Sequence, residues 1–140
     1  MRYLLILMTA ILALAGFVIG GAHVLGGLLG YAEFAGNGNL GGVAQSTGYA
    51  YADNGSRFLG GLFFSMGLGF AYCLINLPNR LLLFRFLLLS LFIGGIGRIT
   101  GWVALGVTET TIGAVVIELV FPPIMLILQR NTSRADNASL

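Results

Sequence analysis

The chain has 140 residues, 57% of them hydrophobic and 9% charged, with seven arginines and no lysine against five acids for a net charge of +2. A soluble domain carries about 25% charged residues, so a depletion spread over the whole length makes lipid the solvent for most of the chain. No solvated basic face is left for a nucleic acid, and the length suits a single transmembrane domain.

Arg2 precedes an apolar run that opens at Tyr3, and residues 3–22 read as the first span. A cleaved signal peptide is the rival reading, because Ala13-Leu14-Ala15 has the small-x-small pattern. Apolarity continues to about Tyr31, with no polar mature start after Ala15, which favours a retained span. As one helix, residues 3–31 would measure ~43 Å against a hydrocarbon core of ~30 Å. The helix therefore protrudes or breaks, and Gly20-Gly21, Gly26-Gly27 and Gly30 are the places for a break. Residues 31–57 form a polar segment rich in Gly and Asn, a composition that favours turns.

The second span covers residues 58–77 and stops at a turn, Asn76-Leu77-Pro78-Asn79-Arg80. The third covers residues 82–105, with Arg85 at its start. A turn at residues 107–111 leads to the fourth span, residues 112–129, where Pro122-Pro123 should kink the helix and free one or two carbonyls. A polar tail, residues 130–140, follows. With the N-terminus inside, Arg2, Arg80, Arg85, Arg130 and Arg134 are cytoplasmic and Arg57 alone is external. That asymmetry predicts two cytoplasmic termini and an all-α, integral membrane four-helix bundle.

Glycine, at 22 residues, lies largely within or beside the spans. Gly16 and Gly20, Gly26 and Gly30, and Gly97 and Gly101 each form a small-xxx-small pair. In lipid, close backbone approach takes over the role that the hydrophobic effect has in water, so these pairs predict tightly crossed helices.

Two charges fall inside apolar runs: Arg98 in the third span and Glu118 in the fourth. Each lies about ten residues from Thr108, so an antiparallel hairpin brings them to one depth. An unpaired charge at mid-membrane costs from ~3 to over ~10 kcal/mol, which pairing relieves. The pair has three readings: a structural brace between helices, the lining of a polar pocket, or an arginine that snorkels to the outer surface. His23, Arg57 and Glu109 map to the outer face, with Glu33 and Asp53 near them, as in a cleft opening outward. Arg57 and Glu109 are candidate partners at the outer ends of their spans.

Several chemistries have no residues to carry them. His23 is the only histidine and Cys73 the only cysteine, at opposite ends of their spans, so neither zinc nor a bis-histidine haem is expected. No serine or cysteine nucleophile is expected to have a histidine at its depth. Gly94-Gly95-Ile96-Gly97 lies inside a span and lacks the strand that a dinucleotide loop requires. No catalytic residues, metal or cofactor are therefore expected.

Arg57-Phe58-Leu59-Gly60-Gly61 opening a span, then Gly67-Leu68-Gly69, then Gly94-Gly95-Ile96-Gly97-Arg98, then Glu118 in the last span, together resemble the domain-of-unknown-function 4345 family. Its members are small bacterial four-helix membrane proteins, distantly similar to DoxX-like proteins. The resemblance covers roughly residues 53–129. It implies a multi-pass protein of the bacterial inner (cytoplasmic) membrane, groups Arg57, Arg98 and Glu118 together, and supplies no activity.

Small size, glycine-lined helices and absent catalytic groups point first to a non-enzymatic accessory or assembly subunit of a larger membrane complex, in contact with lipid and with other membrane subunits. The alternative is a binder or carrier of a small lipidic or quinone-like molecule, held in the outward cleft around Arg98 and Glu118. An enzyme ranks third.

Overall fold

A computed structural model describes residues 2–34, 48–107 and 109–138. The fold is all-α: α1 (Arg2–Phe34), α2 (Tyr49–Ile75), a 3-10 turn (Leu77–Arg80), α3 (Leu81–Leu105) and α4 (Glu109–Ala138). Each of the four long helices is long and apolar enough to cross a membrane. Their surfaces carry the side chains that a soluble protein would bury. Leu25 and Leu82 are each 84% exposed and Val103 is 85% exposed, as lipid-facing residues should be.

α3 and α4 contain the stretches expected as the third and fourth spans, and the second helix begins well before residue 58. α2 starts at Tyr49, although residues 49–57 are polar and carry Asn54-Gly55. Contacts to α1, described below, override that local preference. The Gly/Asn-rich stretch at residues 36–42 and the turn residue Thr108 lie outside the described residues. α4 runs as one helix through Pro122 and Pro123 and continues into the expected tail. Neither proline has an N–H to donate, so the carbonyls of Glu118 and Leu119 lose their helical partners.

The chain forms two compact units, Ile11–Ala71 and Met1–Ala10 with Tyr72–Leu140. In the first, α1 and α2 run antiparallel and touch through glycine. A Cβ on Gly16 would lie 2.6 Å from the Gly67 Cα, and one on Gly67 would lie 2.9 Å from the Ala13 carbonyl oxygen. One helical step further, Gly20 faces the backbone of Phe64 and Gly60, and Gly60 faces the Cβ of His23. Phe17 and Phe64 pack edge to face beside this seam, with ring centroids 5.3 Å apart.

Two neighbouring glycines give the seam a test. A Cβ on Gly60 meets His23 and the backbone of Gly20 and Val24, whereas one on Gly61 meets nothing within 4 Å. Gly60→Ala should lower stability by about 1–3 kcal/mol, as overpacking does. Gly61→Ala should be neutral or slightly stabilising through helix propensity. Thermal unfolding of both variants in the same detergent checks the difference, and equal midpoints would refute the seam.

In the second unit, α3 and α4 form the antiparallel hairpin. Phe84, Leu88 and Met125 are fully buried, and Thr9 at the start of α1 is buried with its hydroxyl donating to the Leu5 carbonyl at 2.7 Å. α3 approaches α4 closely at Gly95, where a Cβ would lie 3.0 Å from the Glu118 Cβ and 2.8 Å from Leu119 Cδ2.

Candidate functional site

The close approach at Gly95 sets the geometry of the hairpin's charges. Arg98 is one turn further along α3, and its Nε donates to both carboxylate oxygens of Glu118, at 3.0 Å to Oε1 and 2.8 Å to Oε2. The two partners are buried unequally, with 7% of the Glu118 side chain exposed against 36% for Arg98. The carboxylate is enclosed and the guanidinium stands at the edge of the helix interface.

Arginine presents five N–H donors in a planar fork, and here Nε alone reaches Glu118. Among the described residues, nothing accepts from the terminal nitrogens of Arg98. Next to the guanidinium the surface of α3 is bare: a Cβ on Gly94, Gly97 or Gly101 would meet nothing within 4 Å. At 100° per residue these three glycines cluster on one face, adjoining the side from which Arg98 projects. The result is a strip of open backbone bordered by a cation with donors to spare. Such a strip can accept a carbonyl, carboxylate or phosphate oxygen from a ligand or from another helix.

Two further polar links cross the hairpin. Arg85 Nε donates to Gln129 Oε1 at 3.0 Å, and Trp102 Nε1 donates to Thr111 Oγ1 at 2.7 Å. The sequence does not single out either. Both were open to the counting that pairs Arg98 with Glu118, since each couple lies at nearly matching separations from Val107.

The residues expected at the outer face divide between the two units. Within Ile11–Ala71, α1 breaks at Gly27, whose backbone is at φ 61° and ψ −151°. One of the three glycine sites expected for a break is therefore the one used. The break frees the Leu28 N–H, which donates to Asp53 Oδ1 at 2.8 Å. It also frees carbonyls: Arg57 Nη1 donates to Val24 O at 2.8 Å and to Leu25 O at 3.2 Å. Arg57 Nε donates to Asp53 Oδ2 at 2.8 Å, which closes the junction. The partner of Arg57 is thus Asp53, one turn away on its own helix, where the sequence suggests Glu109. Glu109 is exposed in the first turn of α4, in the other unit.

His23 joins this junction from the α1 side. Its Nδ1 shares a 2.7 Å hydrogen bond with Ser56 Oγ, and its ring stacks on Tyr31 with centroids 3.6 Å apart. This corrects the expectation that no serine meets a histidine. The two residues sit on different helices, 33 positions apart, and only the antiparallel register brings them together. Ser56 is 7% exposed, so its hydroxyl is not presented to a substrate, and the contact serves as a link between α1 and α2. Among the described residues, no three His, Cys, Asp or Glu side chains come together to hold a metal ion.

A family model described as a domain of unknown function, DUF4345, matches residues 4–129. The match takes in the first helix as well as the motifs that carry the resemblance. No curated protein matches the chain, and neither does any solved structure.

Proposed function

The chain belongs to this domain-of-unknown-function family, and from that premise we propose that it is a non-enzymatic accessory or assembly subunit of a larger complex in the bacterial inner membrane. The Arg98 face of α3 is where a partner's transmembrane helix docks. One observation carries the reading: the terminal N–H groups of Arg98 lie beside the bare strip of Gly94, Gly97 and Gly101. Donors in hydrocarbon are costly until accepted, and glycine strips are where helices approach closely in lipid. A helix that seats on the strip and offers a backbone or side-chain oxygen to Arg98 answers both needs. The arginine distribution supports cytoplasmic termini for this assembly.

A second reading is favoured by the planarity of the fork. A small lipidic or quinone-like molecule with a carbonyl oxygen would fit the same strip, accepting from Arg98 while its flat body lies over glycine. In that case Glu118 orients the guanidinium and makes no direct contact.

Mild detergent extraction followed by mass measurement of the intact particle separates the two. The expected result is a stoichiometric protein partner that is lost in Gly101→Leu while the helical content of the chain is unchanged. A particle holding one chain and a small bound mass, also lost in Gly101→Leu, would move the assignment to the second reading. A bare chain in both samples would remove the strip as a site.

A further inference from the structure

At the opposite end of the α3–α4 hairpin from Trp102, the unit formed by Met1–Ala10 and Tyr72–Leu140 contains a cavity of about 460 Å³. That volume is within the ~300–1,000 Å³ range of small-molecule sites. Leu5, Leu74, Leu77 and Leu81 supply apolar lining, and Arg2, Asn76 and Thr132 supply polar groups. These residues lie at or near the ends of the candidate spans or in the α2–α3 turn, the part of such a chain that meets a membrane's headgroups. Gln129, also in the lining, is fully buried and accepts from Arg85, so the polar floor is fixed in place.

The charge at this end is mostly positive. Residues 2–10, 72–90 and 119–132 contain Arg2, Arg80, Arg85 and Arg130 and no acid, and residues 133–140 add Arg134 and one acid, Asp136. Arg80 is engaged, donating to the Tyr72 carbonyl at 2.8 Å and lying 3.6 Å over the Tyr72 ring. Arg2 is exposed, borders the cavity, and has no partner among the described residues.

We infer that this cavity is a binding site for one anionic phospholipid, with an acyl chain between the leucines and the phosphate at Arg2. The apolar lining distinguishes it from a site for free phosphate. The positive excess distinguishes it from a groove that takes any lipid, because basic pockets between transmembrane helices select anionic headgroups. The site is separate from the Arg98 strip, and its test does not depend on a protein partner.

The full-length chain in detergent is titrated with phosphatidylglycerol, with phosphatidylcholine of the same acyl chains, and with inorganic phosphate, and bound lipid is counted by native mass spectrometry. Phosphatidylglycerol should be retained in preference to phosphatidylcholine and should not be displaced by phosphate. Arg2→Gln should weaken that preference about fivefold, the weight of one arginine at an anionic surface, and Arg2→Lys should keep most of it. Because Arg2 is exposed and has no partner among the described residues, neither change threatens the fold. Ile75→Trp, at a lining residue that is 76% exposed, should reduce retention of both lipids by filling the groove. Equal retention of the two lipids, displacement by phosphate, or an Arg2→Gln chain that keeps its full preference would each overturn the assignment.

Discussion

Replacing Glu118 with leucine should lower the stability of the protein by about 3 kcal/mol, the lower end of the range for breaking a buried ion pair. The value is at the lower end because the Arg98 side chain is 36% exposed on a flexible stem and reaches other polar groups once released. Arg98→Met should cost more, since it leaves behind a carboxylate that is 7% exposed and enclosed by the helix contact at Gly95. The double variant, Arg98→Met with Glu118→Leu, should recover to within about 1 kcal/mol of the parent, because an apolar pair needs no compensation in lipid. Unfolding curves of the four proteins in one detergent complete the cycle. Additive losses would mean that the two charges do not brace one another. Full recovery of the fold together with loss of the copurifying partner or ligand would mark the pair as part of the site as well as of the scaffold.

Gly27→Ala is the second large effect. A φ of 61° with ψ of −151° falls in a region open essentially to glycine, and a side chain there costs about 1–3 kcal/mol. The added methyl would also run into the Asp53 carboxylate, displacing the acceptor of the Leu28 N–H and the partner of Arg57. Loss of one charge-assisted hydrogen bond adds about 1.5–3 kcal/mol. The combined loss should be about 3–5 kcal/mol, read as a fall in unfolding midpoint. Gly21→Ala and Gly30→Ala, where a Cβ meets nothing within 4 Å, should change little. If all three variants unfold together, the break at Gly27 is not what holds α1 to α2.

The hairpin of α3 and α4 was legible in the sequence because charge is so scarce there. Two ionised side chains in long apolar runs have few ways to be satisfied, and matching separations from one turn bring these two to one depth. The start of α2 was not legible. Residues 49–57 have a loop composition, and their helix rests on what α1 offers: an N–H and two carbonyls freed at Gly27, met by Asp53 and Arg57. Asp53 lies in that stretch and reads from sequence only as a polar residue near the outer face. Its role depends on a glycine 26 positions earlier adopting a positive φ, and no periodicity announces that. The contact of His23 with Ser56 was missed, since nothing points to it until the register of α1 against α2 is known.

The break in α1 also bears on the order in which the protein is built. The Val24 and Leu25 carbonyls and the Leu28 N–H find their partners only on α2, a later segment of the chain. Before α2 arrives, α1 has no Asp53 or Arg57 to meet the groups that a break exposes, whereas a continuous helix pairs them internally. The straight helix is then the favoured form, and bending waits for the arrival of Asp53 and Arg57. Glycine at position 27 makes the bent form accessible, while the second helix makes it stable. The shape of the first helix is thus tied to its pairing with the second.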